Sequence, residues 1–179
     1  MNKKIVVLVG SLRKESYNRI IAENLQSLSP EGIEIEILTG LDRYPLYDMD
    51  IQNEKGFPEI AIEMGEKIKK SDGVIIVSPE YNYSIPGVLK NAIDWLSRLD
   101  ENPFDGKKVA IQSGSMGSGG GARMQYHLRQ VFVYLNSWVI NRPEIIIGSI
   151  QDKVDTDNRL ITDDMTKDFI RAQIKALVS

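Results

Sequence analysis

Short apolar runs rich in valine and isoleucine alternate five times with segments of helical periodicity along this chain. The apolar runs predict strands at residues 4–9, 33–38, 73–77 and 107–112, and a fifth strand in two pieces, 138–140 and 144–147, around Pro143. The periodic segments predict helices at residues 18–28, 58–70, 86–99, 121–135 and 162–178. Such alternation favours a parallel sheet with helices on both faces. We therefore predict an α/β protein with a single domain that spans residues 1–179.

Two connecting segments are less regular than the rest. Residues 39–57 are predicted to be a mostly irregular connection. Residues 152–164 are rich in aspartate and suggest calcium, but they lack the glycine and the glutamate that an EF-hand loop carries at its sixth and twelfth positions. We interpret this segment as a solvated loop. Thr162 and Asp163 compete as the N-cap of the helix that follows.

The loop after the first strand distinguishes two orders of a doubly wound sheet. A Rossmann dinucleotide fold expects G-x-G-x-x-G there and an acidic residue further on. Residues 10–18 contain one glycine, so Asp42 in the role of that acidic residue carries little weight. We instead predict a flavodoxin-like three-layer sandwich with a five-stranded parallel sheet in the order 2-1-3-4-5. Strands one, three and four are then neighbours, and the loops at residues 10–18, 78–86 and 113–123 meet at one edge.

The first of these loops, residues 10–18, is rich in hydroxyl groups and leads into a helix. The free N–H groups and positive dipole end of a helix N-terminus attract phosphate. Ser11, Ser16 and Asn18 add hydroxyl and amide groups, and Arg13 adds a charged, forked donor. The alternative is that Ser16 or Asn18 only caps the helix.

The second loop, residues 78–86, is an unusual way to leave a buried strand, because it carries two tyrosines, two prolines, an asparagine and a glutamate. Its backbone amides and Asn82 can bind the polar edge of a flat ring such as a flavin, and Tyr81 or Tyr83 can flank the ring. The prolines restrict the loop and reduce the cost of ordering it. The alternative is a stiff loop whose tyrosines pack at a subunit contact.

The third loop, residues 113–123, is made mostly of glycine and serine. Glycine allows the backbone to approach a ligand closely. A flexible connection is the alternative interpretation, and only the position of this loop beside the other two favours binding.

The composition excludes several classes of function. The net charge of -3 gives no electrostatic basis for binding nucleic acid, and the apolar run near the N-terminus is too short for membrane insertion and is expected to be a strand rather than a signal peptide. The absence of cysteine is compatible with the cytoplasm, where we place the protein. The one histidine, His127, cannot build a Ser-His-Asp triad or a histidine-based metal site, so we predict no metal. We interpret His127 as a helix residue whose ring is satisfied locally or by a neighbour.

The loops and the helices after them resemble the NADPH-dependent FMN reductase family. The motifs are Gly10-Ser11-Leu12-Arg13 with Ser16 and Asn18, then Pro79-Glu80-Tyr81-Asn82-Tyr83-Ser84-Ile85-Pro86-Gly87, and Leu89-Lys90-Asn91-Ala92-Ile93-Asp94-Trp95. Within the family, residues 121–130 are similar to those of bacterial chromate reductases, which are also NAD(P)H:quinone reductases.

The resemblance implies a noncovalent FMN site. The phosphate and ribityl end would be held by Ser11, Arg13, Ser16, Tyr17 and Asn18. The isoalloxazine ring would be held by Pro79, Glu80, Tyr81, Asn82 and Tyr83, with Ser115 on the third side. The family forms dimers, often paired into tetramers, so the resemblance also implies self-association, with candidate contacts at Arg123, Tyr126 and Glu144.

The predicted function is an oxidoreductase with a ping-pong mechanism. NADH or NADPH delivers hydride to FMN, and small-molecule electron acceptors such as a quinone, an azo or nitro compound or chromate then take the electrons. No side chain need act as acid or base, so no catalytic residue is predicted beyond the flavin itself. One alternative is a flavodoxin-type FMN electron carrier reduced by a protein partner, although this chain is less acidic than such carriers. A flavin-free regulatory or scaffold protein is another.

Overall fold

A parallel sheet forms the centre of the molecule in the computed structural model, which describes residues 2–179. The long strands are β1 (Lys3–Val9), β2 (Ile33–Leu38), β3 (Gly73–Val77) and β4 (Lys108–Gly114), followed at the edge by β5 (Trp138–Val139). Their order is β2-β1-β3-β4-β5, and in the centre Val7 of β1 pairs with Ile37 on one side and Ile75 on the other. The predicted flavodoxin-like order is confirmed.

The last strand is interrupted, as the sequence predicted. β5 pairs with the start of β4, while β6 (Ile145–Ile147) pairs with its end. The amide of Gln173 bridges the interruption by donating to the backbone oxygens of Ile111 (3.2 Å) and Pro143 (2.9 Å). A buried side chain therefore satisfies backbone oxygens at the place where the ladder is broken, as burial of a polar group requires.

Helices cover both faces of the sheet. Their bounds are α1 (Tyr17–Leu28), α2 (Met49–Lys55), α3 (Glu59–Lys70), α4 (Gly87–Leu96), α5 (Ala122–Tyr134) and α6 (Asp164–Val178). Alternate strand residues point to opposite faces, so Val6 and Leu8 pack with α3, α4 and α5, whereas Ile5 and Val7 pack with α1 and α6. The result is the predicted three-layer sandwich. None of the helices within residues 2–179 has the length and apolar character needed to cross a membrane.

The connection at residues 39–57 is more regular than predicted. It contains a short 3₁₀ turn at Leu41–Arg43 and the helix α2, so the prediction of a mostly irregular segment is wrong there. Asp48 caps α2 by accepting a hydrogen bond from the backbone N–H of Asp50 (2.8 Å). No residue of α2 is fully buried, and for that reason the sequence has no apolar stripe to reveal it.

The acid-rich segment before α6 is a small hairpin rather than only a solvated loop. Its strands, β7 (Val154–Asp155) and β8 (Leu160–Ile161), are antiparallel, and Asp155 accepts hydrogen bonds from the backbone N–H groups of Asp157 and Asn158 (both 3.0 Å). Within residues 2–179, no three histidine or acidic side chains come together as a metal site. Of the two candidate caps of α6, it is Asp163 that accepts from the backbone N–H of Thr166 (2.8 Å).

Candidate functional site

The first and second loops touch where β1 and β3 end. The backbone N–H of Gly10 donates to Val77 (2.9 Å), and that of Ser78 donates to Gln112 on β4 (3.0 Å). A Cβ atom at Gly10 would lie 2.3 Å from the Ser78 hydroxyl oxygen, which is shorter than any allowed contact. The glycine at position 10 is therefore required by the approach of the two loops.

Asn18 joins the first loop to the third. Its side chain is buried, its Oδ1 accepts from the backbone N–H of Gly114 (2.9 Å), and its Nδ2 donates to the Gly114 carbonyl (2.9 Å). Both amide groups are thus already bonded within the protein. Asn18 therefore fixes the start of α1 against the end of β4.

The start of α1 offers several unused donors. Ser16 caps the helix, since its Oγ accepts from the backbone N–H of Arg19 (3.4 Å), as one interpretation of the sequence expected. Arg13 is exposed and makes no ion pair within residues 2–179. Seven backbone N–H groups make no hydrogen bond within the same residues, namely those of Leu12, Lys14 and Glu15 and those of Ser11, Ser16, Tyr17 and Asn18. The prediction from side chains did not include Leu12, Lys14 and Glu15. Their backbone N–H groups could have been expected from their position at the start of a helix.

The second loop contains a tight two-residue turn. Tyr81 and Ser84 exchange backbone hydrogen bonds (3.1 and 3.0 Å), and between them Asn82 (φ 50°) and Tyr83 (φ 66°) are left-handed. Asparagine adopts this conformation comparatively readily, but it is unfavourable for a bulky residue such as Tyr83 and persists there only where the surroundings hold it. The backbone N–H groups of Asn82 and Tyr83 make no hydrogen bond within residues 2–179 and face no competition for a ligand.

Contacts with α5 hold this turn. Glu80 accepts a hydrogen bond from the backbone N–H of Met124 (3.1 Å) and pairs with Arg123 (3.4 Å). The Arg123 guanidinium carbon lies 3.9 Å from the centre of the Tyr83 ring, a cation–π geometry. His127 reaches Ser84 through its Nδ1 (3.0 Å), so its ring is satisfied by a neighbour, as expected.

Beyond the end of β4 at Gly114, two glycines of the third loop are required by packing within the protein. A Cβ atom at Gly120 would lie 2.7 Å from the Ile146 side chain, and one at Gly121 would lie 2.8 Å from Ser113. Gly117 and Gly119 have no protein atom closer than 4.0 and 3.8 Å to the corresponding position. The expected close approach of a ligand is therefore possible at these two glycines. Ser115, beside them, donates to the Gly117 carbonyl (3.0 Å).

Comparison with known proteins decides the family. The profile of the NADPH-dependent FMN reductases matches residues 3–152. The chain belongs to this family. It is 50% identical over 173 residues to a quinone reductase of Escherichia coli, covering 97% of this chain and 92% of that protein. It is 44% identical over 174 residues to an NAD(P)H-dependent FMN reductase of Pseudomonas aeruginosa, covering 97% and 92%.

A solved structure agrees with both the fold and the family. The flavoenzyme NAD(P)H:(acceptor) oxidoreductase FerB of Paracoccus denitrificans superposes with a TM-score of 0.86 and 33% identity, covering 98% of this chain and 95% of that chain. Membership of the FMN reductases confirms the predictions that the chain is an enzyme and that FMN and NADH or NADPH are its cofactors. It does not by itself assign residues to the site.

The donor set fits FMN. The first loop combines the exposed cation of Arg13 with free N–H groups at a helix start, which is the chemistry that binds a phosphate. The second loop combines the free N–H groups of Asn82 and Tyr83 with the half-exposed ring of Tyr81, which suits the polar edge and face of a flat ring. Among the predicted residues, Asn18 and Glu80 bond residues of other loops or helices through their side chains. The hydroxyl groups of Ser11, Ser16 and Ser115 each make one hydrogen bond to a residue two or three positions further along the chain.

The three residues predicted to form assembly contacts differ in whether their side chains already have a partner within the chain. Arg123 pairs with Glu80, and Glu144 lies 3.5 Å from Arg129, so both have partners in the same chain. Tyr126 is 56% exposed on the outer side of α5. Of the three, the structure leaves Tyr126 most available to a second copy.

Proposed function

We propose that this chain is an FMN-dependent NAD(P)H:quinone oxidoreductase. One observation carries the proposal: the first and second loops, which follow the neighbouring strands β1 and β3, both carry unused backbone donors at one edge of the sheet, with the cation of Arg13 at the first loop and the ring of Tyr81 at the second. The charged end suits a phosphate and the aromatic end suits a flavin ring. The names of the relatives from Escherichia coli and Pseudomonas aeruginosa support the same activity.

The residues divide into three groups by what they offer. Ser11, Arg13, Ser16 and Tyr17 hold the phosphate and ribityl end, while Asn18 positions them. The ring is held by Pro79, Tyr81, Asn82 and Tyr83, with Ser115 on the third side and Glu80 acting behind the loop. When bound, FMN supplies the redox chemistry, accepting hydride from NADH or NADPH and passing two electrons to the acceptor. No side chain of the site need exchange a proton with the substrate.

The open face of the site supports a ping-pong order of substrates. Tyr81, Tyr83 and Met116 are 51%, 63% and 63% exposed, so this edge admits flat molecules one after another. We propose that the nicotinamide and the acceptor use the same face in turn, and that quinones, azo or nitro compounds and chromate are all accepted. We further propose a cytoplasmic protein that associates into dimers or tetramers through the side of α5 that carries Tyr126.

Rapid mixing under anaerobic conditions tests the activity. FMN-loaded protein should lose its oxidised flavin absorption when mixed with NADH or NADPH alone, and should regain it when a benzoquinone is added. Steady-state rates at several quinone concentrations should give parallel double-reciprocal lines. Flavin that neither nicotinamide reduces would instead indicate an electron carrier of the flavodoxin type, and intersecting lines would contradict the ping-pong order.

The phosphate end of the site is tested by the variant Arg13→Ala. Removing a charge-assisted contact to a phosphate should weaken FMN binding about tenfold or more. Riboflavin, which lacks the phosphate, should bind the variant and the wild type equally. Fluorescence titration of the flavin-free protein measures both affinities. Equal losses for FMN and riboflavin would place the phosphate away from Arg13.

A further inference from the structure

Helix α5 begins without a cap from its own segment. The N-cap position is Gly121, whose φ of 91° is left-handed, and a Cβ atom there would lie 2.8 Å from both Cβ and Oγ of Ser113. Serine, threonine and aspartate, the usual N-cap residues, all carry a Cβ atom. The packing of the third loop against β4 therefore prevents α5 from being capped locally.

Glu80 of the second loop supplies the missing cap. Its Oε2 accepts from the backbone N–H of Met124, the third residue of α5, at 3.1 Å. An N-cap side chain normally bonds the N–H of this third position or the one before it. The carboxylate also lies at the positive end of the helix dipole, and only 13% of the side chain is exposed.

Arg123 connects the same carboxylate to the far side of the turn. Its Nη1 lies 3.4 Å from Oε1 of Glu80, and its guanidinium group stacks on the ring of Tyr83 at 3.9 Å. One arginine thus contacts the residue before the turn and a residue within it. The left-handed backbone of Asn82 and Tyr83 lies between these contacts and needs such support.

We propose that Glu80 and Arg123 are positioning residues for the flavin loop. Together they fix the turn between Tyr81 and Ser84 onto the first turn of α5, and so hold the free N–H groups of Asn82 and Tyr83 ready for the ring. Neither side chain needs to touch the flavin. The inference rests on the proposed function, because it assumes that the ring binds at this loop.

The variants Glu80→Ala and Arg123→Ala test the proposal by FMN affinity. If either change lowers the population of the binding-competent turn to about a tenth, the apparent Kd for FMN rises about tenfold. The rate constant kcat at saturating FMN should change less than twofold, because the chemistry is not altered. The double variant should weaken binding no more than the stronger single variant, since both act through one turn.

Amide hydrogen exchange gives a second readout that does not require FMN. The backbone N–H groups of Tyr81 and Ser84 are bonded across the turn, so exchange in the peptide 78–86 should accelerate in both alanine variants. Arg123→Lys, which retains the charge and a weaker contact with Tyr83, should restore part of the affinity and part of the protection.

Arg98→Ala is the matched control. Arg98 also lies over an aromatic ring, that of Tyr47 at 5.4 Å, but outside the second loop. This variant should leave FMN affinity and exchange in the peptide 78–86 unchanged. Equal effects of Arg98→Ala and Arg123→Ala would overturn the proposal, because the losses would then reflect general stability.

The outcomes separate this proposal from the proposed function. If the wild type binds FMN, and the Glu80 and Arg123 variants bind it equally well without faster exchange, the function stands and the positioning role is wrong. If the wild type does not bind FMN, the proposed function fails. The exchange rates of the flavin-free variants then still decide whether Glu80 and Arg123 hold the turn.

Discussion

Two helices of this protein begin against a carboxylate, but the carboxylates come from different places. At α6 it is Asp163, the residue directly before the helix, which accepts from the backbone N–H of Thr166 at 2.8 Å. At α5 it is Glu80, which lies 44 residues before Met124 along the chain and bonds to its N–H at 3.1 Å. The same physical interaction thus serves one helix locally and the other across the fold.

The two caps differ in function: one only stabilises its helix, whereas the other also positions a loop of the candidate site. A local cap such as Asp163 stabilises its own helix and makes no hydrogen bond to the three loops of the site. A remote cap ties two elements together, so Glu80 fixes the second loop as well as α5. The packing of Gly121 against Ser113 makes the remote solution necessary. Substitutions at the two caps should therefore have similar effects on stability but different effects on flavin binding.

The largest effect is expected from forcing a local cap onto α5 with Gly121→Ser. The new Cβ atom would collide with Ser113, and serine would have to adopt the left-handed φ of 91°. We expect a loss of about 3 kcal/mol of unfolding free energy from strain and overpacking. Urea denaturation measures it. Gly119→Ser is the control in the same loop, because its Cβ atom has room, and it should change stability by less than about 0.5 kcal/mol. A Gly121→Ser protein as stable as the wild type would contradict the need for a remote cap.

A medium effect is expected from removing the local cap with Asp163→Ala. Loss of an N-cap residue should lower the free energy of unfolding by about 1 kcal/mol at pH 7. FMN affinity should stay unchanged, because α6 contributes no residue to the three loops. Urea denaturation and FMN titration of the same sample check both statements. Weaker FMN binding by Asp163→Ala would contradict the expected difference between the two caps.

The contribution of Asp163 should also depend on pH. Hydrogen bonds from Thr166 hold the pKa of the Asp163 carboxyl below its ordinary value. A group whose pKa is lower in the folded state stabilises the protein above its unfolded pKa of about 3.9, and this contribution is lost as the pH falls through the folded value. The difference in unfolding free energy between wild type and Asp163→Ala should therefore shrink below about pH 4. A difference that grows on acidification would contradict the assigned cap.

The smallest effect is expected from Tyr83→Gly. The change removes the stacking with Arg123 but relieves the left-handed strain at φ 66°, and the two terms oppose each other. Tyr81→Gly is the matched variant, since Tyr81 does not have a positive φ and gains no relief. Because the lost stacking offsets part of the relief, we expect Tyr83→Gly to be more stable than Tyr81→Gly by about 0.5 kcal/mol in urea denaturation. The reverse order would mean that the lost stacking between Tyr83 and Arg123 outweighs the relief of backbone strain at residue 83.

The sheet was predictable because its signal is local. Buried runs of valine and isoleucine mark β1, β3 and β4, and their alternation with helices predicts a parallel sheet by general rules of connection. The choice between two strand orders came from the first loop, which has one glycine instead of the Rossmann pattern. The helix α2 was not predictable in the same way, because none of its residues is fully buried and it has no apolar periodicity. A cap at Asp48 and a glycine at position 56 were its only signals.

The position of the site was predictable, but the tasks of its residues were less so. The meeting of the three loops follows from strand order alone. The bonds of Asn18 to Gly114 and of Glu80 to Met124 join residues far apart in the chain, and their geometry depends on the packed structure. Sequence reasoning therefore placed Asn18 and Glu80 at the site without revealing the partners that their side chains bind inside the protein.

Protection of backbone amides by FMN tests the central claim most directly. The flavin-free protein has unbonded N–H groups in the first and second loops, including those of Leu12, Lys14 and Asn82. Hydrogen exchange with and without FMN should show slower exchange in residues 10–18, 78–86 and 113–123, and no change in β7 and β8. Protection confined to another surface, or none at saturating FMN, would contradict a flavin site built by these three loops.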